Sequence, residues 1–113
     1  MGSLAVRDAV RFENADGSDG KRRTGVIMAI GTAYAMIIYG RGSERPGTCA
    51  VVREGSQAAA AMSLYKTTYF YAESLRRVRV ELLERCGHSP PTVFLDLKAI
   101  FSEGMRHLKT IGG

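Results

Sequence analysis

The chain has 113 residues, 45% of them apolar, and a formal net charge of +5. That length suits one domain over residues 1–113, and the ordinary apolar share argues against global disorder. No apolar run approaches the ~20 residues that span a bilayer. The first eight residues lack the apolar core of a secretory signal, and Val6 stands where a myristoylation motif carries Ser or Thr, so a cytoplasmic protein is expected. Cys49 and Cys86 read as reduced thiols. With no CxxC or HxxxH spacing, neither a metal nor another cofactor is expected. An isoelectric point near 9.6 favours nucleic acid or an acidic surface as partner.

In chain order, Ala5, Val6, Ala9, Val10 and Phe12 predict a short extended start. Residues 13–23, dense in Gly, Asp and Ser, predict an exposed, mobile connection that turns from acidic to basic. Residues 25–30 and 34–39 are two apolar, β-branched runs around a Gly31-Thr32 turn. They predict a hairpin in the centre of a sheet. Residues 40–47 form a Gly-rich loop, and Cys49 to Val52 a third strand. Residues 55–62 predict a loop or a single helical turn, and residues 66–71 a further strand. Val78, Val80 and Leu82 alternate with Arg77, Arg79 and Glu81, the period of a half-buried strand. A turn of helix is expected to end at Gly87. Ser89 as N-cap and Pro90 as first helical residue open a terminal helix. Its apolar stripe is Leu97, Phe101, Met105 and Leu108. Gly104 within it is expected to weaken the helix by up to ~1 kcal/mol. The expected architecture is α+β: a small curled antiparallel sheet or SH3-like barrel with a C-terminal helix, which removes or covers its strand edges.

The most informative constellation is the basic approach to the first central strand, Lys21-Arg22-Arg23-Thr24-Gly25. Cations that converge beside a rigid strand suit a phosphodiester and the extra charge of its transition state. A second basic element is the loop Arg41-Gly42-Ser43-Glu44-Arg45. Of Tyr69, Phe70 and Tyr71, some fill the core by alternation and the rest are free to stack on unpaired bases. His88 reads as a turn residue and His107 as a helix C-terminal cation. Neither P-loop nor nucleophile-elbow spacing occurs.

A long Gly-rich loop followed by basic residues and an apolar strand, with a later strand around residues 77–80 and a terminal helix, resembles the MazF/PemK-type toxin family over nearly the whole chain. The resemblance implies an SH3-like barrel that forms a homodimer. It implies metal-independent endoribonuclease activity on single-stranded RNA, and an antitoxin segment that competes for the same groove. On that resemblance the family arginine falls on Arg23, a charge stabiliser or proton donor at the scissile phosphate, with Lys21, Arg22, Arg41, Ser43 and Arg45 as nucleic-acid contacts. The family proline falls on Thr24 and the family strand hydroxyl on Ala29, both departures. Thr24 is then the nearest hydroxyl for catalysis, and Ser43 the nearest match for the second family hydroxyl. Arg23 by itself binds phosphate but is not an acid–base pair, so RNA binding is expected and cleavage stays open. The alternative is a non-enzymatic inhibitor from a phage or mobile element, of the anti-CRISPR or anti-defence kind, that acts by binding a target protein. A third reading is an accessory nucleic-acid-binding protein.

Overall fold

The structure, a computed structural model, describes residues 3–13 and 22–112, with side chains of the last helix as far as Arg106. Lys21 and most of the expected loop at residues 13–23 lie outside the described residues. Six strands run β1 Asp8–Glu13, β2 Arg22–Ile30, β3 Tyr34–Arg41, β4 Cys49–Val52, β5 Thr68–Arg79 and β6 Glu84–His88; the helices are α1 Gln57–Ala61 and α2 Pro91–Gly112. The strands form one antiparallel sheet in the order β4-β5-β3-β2-β1-β6. The sheet curls into an open half-barrel, which is the expected α+β architecture with its C-terminal helix. Among the described residues no helix is long and apolar enough to cross a membrane.

The two apolar runs form the central hairpin because every residue from Gly25 to Met28 and from Ile37 to Tyr39 has somewhere to be buried. Alternate side chains point to opposite faces of a strand, and here both faces are apolar. On one face Val26, Met28, Ile38, Phe70 and Leu75 pack beneath Ala59 and Met62 around α1, and Leu97 and Ile100 of α2. On the other, Val10, Phe12, Ile27, Ile37, Tyr39 and Val78 cluster with Leu4, Val80 and Leu83 at their border. Shifts of register at Ala9/Val10, Ile27/Ala29 and Ile38/Gly40 bend the sheet, as bulges do. The last is large: Ile38 faces Leu75 while Gly40 faces Phe70, so Tyr39 alone stands opposite residues 71–74.

That bend accounts for the first departure from expectation. The two strands foreseen at residues 66–71 and 77–82 are one strand, β5, which turns a corner, pairing with β4 over Thr68–Tyr71 and with β3 on both sides of the bend. It begins at Thr68, and Val80 to Leu82 leave the sheet as a 3-10 turn. The helical turn expected to end at Gly87 is instead strand β6, Glu84–His88. Gly87 is therefore no helix stop: a Cβ there would lie 2.0 Å from the Ala61 carbonyl oxygen, so only glycine lets β6 pass beneath α1. The single helical turn of residues 55–62 is α1, with the Ser56 hydroxyl accepting from the Ala59 N–H at 3.1 Å.

Ser89 does not cap α2. Its N–H and its hydroxyl both donate to the Arg7 carbonyl, at 2.8 and 3.0 Å, and so tie the chain ahead of β1 to the chain ahead of α2. The first helical bond runs from Phe94 N–H to the Pro90 carbonyl. Pro90 thus holds the cap position and Pro91, the first helical residue, is where proline's missing N–H costs nothing. Leu97 is fully buried, Phe101 and Met105 half-buried. The Leu108 side chain lies outside the described residues. Gly104 is buried, with its Cβ position 3.2 Å from the Ala72 carbonyl oxygen and 3.1 Å from Leu75 Cδ2. Whatever it costs in helix propensity, it permits α2 to lie close against β5.

Candidate anion-binding site

The basic residues at the start of β2 meet the end of β3 because the hairpin strands are antiparallel. Gly25 pairs with Tyr39, and Arg23 pairs across the other side with Phe12 of β1. Arg23 and Gly25 share a face by the two-residue period of a strand, so Arg23 projects over the Tyr39 side of the sheet while Arg22 and Thr24 project from the opposite side. Gly40 brings β3 close to the start of β5: a Cβ there would stand 2.2 Å from Thr68 Cγ2. Arg41 follows it directly.

At this end of the sheet an open depression of about 430 Å³ is lined by Arg22, Arg23, Thr24, Arg41, Tyr65 and Lys66. Ser63 also borders it. It holds the left-handed φ of 59°, an uncommon conformation for a residue with a side chain. Its hydroxyl donates to the Cys86 carbonyl, and its own carbonyl accepts from Arg11 Nη2 at 3.4 Å. Tyr65 is 80% exposed. Arg22 reaches Glu84 at 3.0 Å, with both side chains largely in solvent, where such a pair contributes little.

Beside the depression sits a second arrangement. The Tyr39 ring is 4% exposed. The guanidinium carbons of Arg76, Arg41 and Arg23 lie 5.3, 5.4 and 5.6 Å from its centroid. Arg41 is held by two further contacts: Nη2 donates to the Tyr39 hydroxyl at 3.1 Å and Nε to the Ser74 hydroxyl at 3.2 Å. Ser74 is fully buried. Arg76 Nη1 donates to the carbonyls of Glu73 and Leu75. Cations within ~6 Å of an aromatic centroid are attracted to the ring, so one buried tyrosine organises three guanidiniums.

The structure therefore brings together four of the residues singled out in the sequence: Arg22, Arg23, Thr24 and Arg41. It does not bring Ser43 or Arg45 with them. Ser43 is exposed and outside the lining. Arg45 is also exposed and outside the lining: its backbone N–H and carbonyl hold the buried Tyr71 hydroxyl at 2.6 and 2.8 Å, and Tyr71 borders a different cavity, beside Pro46, Glu73 and Glu103. Phe70 and Tyr71 are core residues and Tyr69 is half-buried, so the stacking surface at this end is Tyr65 instead. Lys66, Tyr65, Tyr39, Ser74 and Arg76 were not foreseen as a site. The Tyr65-Lys66 pair, an aromatic beside a cation in a loop ahead of a strand, was a readable signal for the first two.

Among the described residues the lining offers cations, the hydroxyls of Thr24, Ser63 and Thr68 and an exposed ring, with no carboxylate or imidazole. His88 lies on edge strand β6, and the His107 side chain is outside the described residues. Burial pushes the Cys86 thiol above its usual pKa, against the pull of Arg11, and its sulfur contacts the Met62 carbonyl at 3.8 Å. It is held as a thiol, which is the inert form. No protein-family model matches this sequence, and no curated protein sequence matches it.

Proposed function

We propose that this protein binds single-stranded RNA in the depression between the start of β2 and the end of β3. The observation that carries the reading is the convergence of Arg22, Arg23, Arg41 and Lys66 on one concavity that also presents an exposed tyrosine. Cations track the sugar–phosphate backbone, and a base stacked on Tyr65 adds about 1–3 kcal/mol, as aromatic platforms do on single strands. The net charge of +5 speeds encounter with a polyanion. The curled half-barrel, the terminal helix and Arg23 at the opening of a central strand fit a MazF/PemK-like toxin. The lining supports binding more strongly than cleavage: Arg23 and Thr24 provide charge and a hydroxyl, and among the described residues the lining holds no carboxylate or imidazole to complete an acid–base pair.

The test is binding of a short single-stranded RNA by fluorescence anisotropy, with a parallel incubation in EDTA read on a gel. Arg41→Gln and Lys66→Ala are each expected to weaken binding, and affinity to fall steeply between about 50 and 200 mM salt. Metal-independent cleavage that disappears in Arg23→Ala would add the toxin activity. RNA that fails to bind at low salt overturns the reading and leaves capture of a target protein as the function to pursue.

A further inference from the structure

We infer that the Arg23–Arg41–Arg76 cluster around Tyr39 is a subsite for a phosphomonoester, the terminal phosphate of an RNA strand. The inference rests on the RNA reading above and adds which part of the strand the site selects.

Three observations carry it. First, three guanidiniums share one ring, each within 5.6 Å of its centroid, so no two can be further apart than about two such radii. Arg41 and Arg76, gathered on one ring, repel, and that repulsion is less screened beside a buried ring than in open water. A ring quadrupole offsets it only in part. Among the described residues no ion pair involves Arg41 or Arg76.

Second, the donors of Arg41 are fixed but not exhausted. A guanidinium carries five N–H groups in a rigid fork. Ser74 takes the Nε hydrogen and the Tyr39 hydroxyl takes one from Nη2. Nη1 and the second Nη2 hydrogen remain for a ligand in the depression that Arg41 lines. The buried serine and tyrosine hydroxyls hold the fork in place before any ligand arrives, which lowers the ordering cost of binding.

Third, the charge count matches a terminal phosphate better than an internal one. An internal phosphodiester brings a single negative charge, two free oxygens and a sugar on either side. A monoester carries roughly −1.5 to −2 at pH 7 with three acceptor oxygens. Arg23 and Arg41 line the depression and Arg76 does not. Arg76, on the ring but outside the lining, acts as a positioning charge, and its field favours the more highly charged end.

The experiment compares one short RNA carrying a 5′-phosphate, a 3′-phosphate or hydroxyls at both ends, titrated into the full chain at fixed salt, with inorganic phosphate as competitor. One phosphorylated end is expected to bind about tenfold or more tightly than the hydroxyl-ended strand, the scale of charge-assisted hydrogen bonds. Arg76→Gln is expected to cut that preference to about twofold and to weaken the hydroxyl-ended strand less than the phosphorylated one, since the lost charge acts most on the doubly charged monoester. Thermal melts confirm that the variant is folded, and the three-ended comparison on the unaltered protein stands whatever the variant does. Equal affinity for all three ends overturns the subsite and leaves RNA binding intact. Equimolar inorganic phosphate abolishing the preference overturns the assignment to a strand end, in favour of the free ion. No binding of any strand overturns both.

Discussion

Strand β3 carries a tyrosine at each end, and each meets arginine. Tyr34 is 45% exposed, with the Arg77 guanidinium 4.6 Å from its centroid; the neighbouring Arg79 pairs with Glu81 at 2.6 Å in solvent. Tyr39 is 4% exposed and gathers three guanidiniums, one of them bonded to its hydroxyl. At the Tyr34 end, water and a carboxylate disperse the charge, and the ring contact is an ordinary surface feature. At the Tyr39 end, buried hydroxyls orient the charge toward a depression. Burial of the ring is the physical difference, and it turns the same residue pairing from surface decoration into the preorganised cluster proposed here to bind an anion.

The largest break in this comparison is truncation of each ring. Tyr39→Ala removes a buried aromatic and is expected to cost about 3–5 kcal/mol in urea denaturation, whereas Tyr34→Ala is expected to cost less than about 1 kcal/mol. Similar losses would mean that the Tyr34 end carries more of the fold than its exposure indicates. Next comes the cation itself. Arg41→Gln is expected to weaken RNA binding by about 10–100-fold, against less than about twofold for Arg77→Gln, an exposed charge at the other end of the sheet. Equal losses in anisotropy titrations would make the binding a property of net charge and not of the depression. Tyr39→Phe is a finer cut. It keeps the ring and deletes the acceptor for Arg41, so it is expected to cost about 1 kcal/mol of stability and a few-fold in RNA affinity.

Much of the fold was legible because its decisive elements are local. The two β-branched runs around Gly31-Thr32 and the stripe through Leu97 state their periodicity in the sequence. The corner in β5 was not, because four residues facing Tyr39 alone are a property of pairing between strands, and no window of one strand contains it. Gly87 and Ser89 carried the right residue types for a helix stop and a cap. Their partners, the Ala61 and Arg7 carbonyls, are far off in sequence, and those contacts gave them other work. The site divides in the same way. Arg22, Arg23 and Arg41 follow from strand ends, which sequence locates. Arg45 was read by proximity to Arg41 and lost to the Tyr71 hydroxyl, while Arg76, 35 positions beyond Arg41, joined through register. A site built across strands is visible from sequence only as far as each strand shows its own end.

The smallest effect sharpens the comparison most. If burial is what separates the two tyrosines, the Tyr34–Arg77 contact must be weak even though its centroid distance is the shorter one. A double-mutant cycle of Tyr34→Ala and Arg77→Ala, read by thermal denaturation, is expected to give a coupling of about 0.5–1 kcal/mol, the range of exposed cation–π pairs. The cycle with Tyr39→Phe and Arg41→Gln, which isolates their hydrogen bond, is expected to give more, because that bond is made to the hydroxyl of a buried tyrosine. A Tyr34–Arg77 coupling of about 2 kcal/mol or more, the desolvated range, would show that distance outweighs exposure here. The cluster at Tyr39 would then have no special claim as the organised end of the sheet.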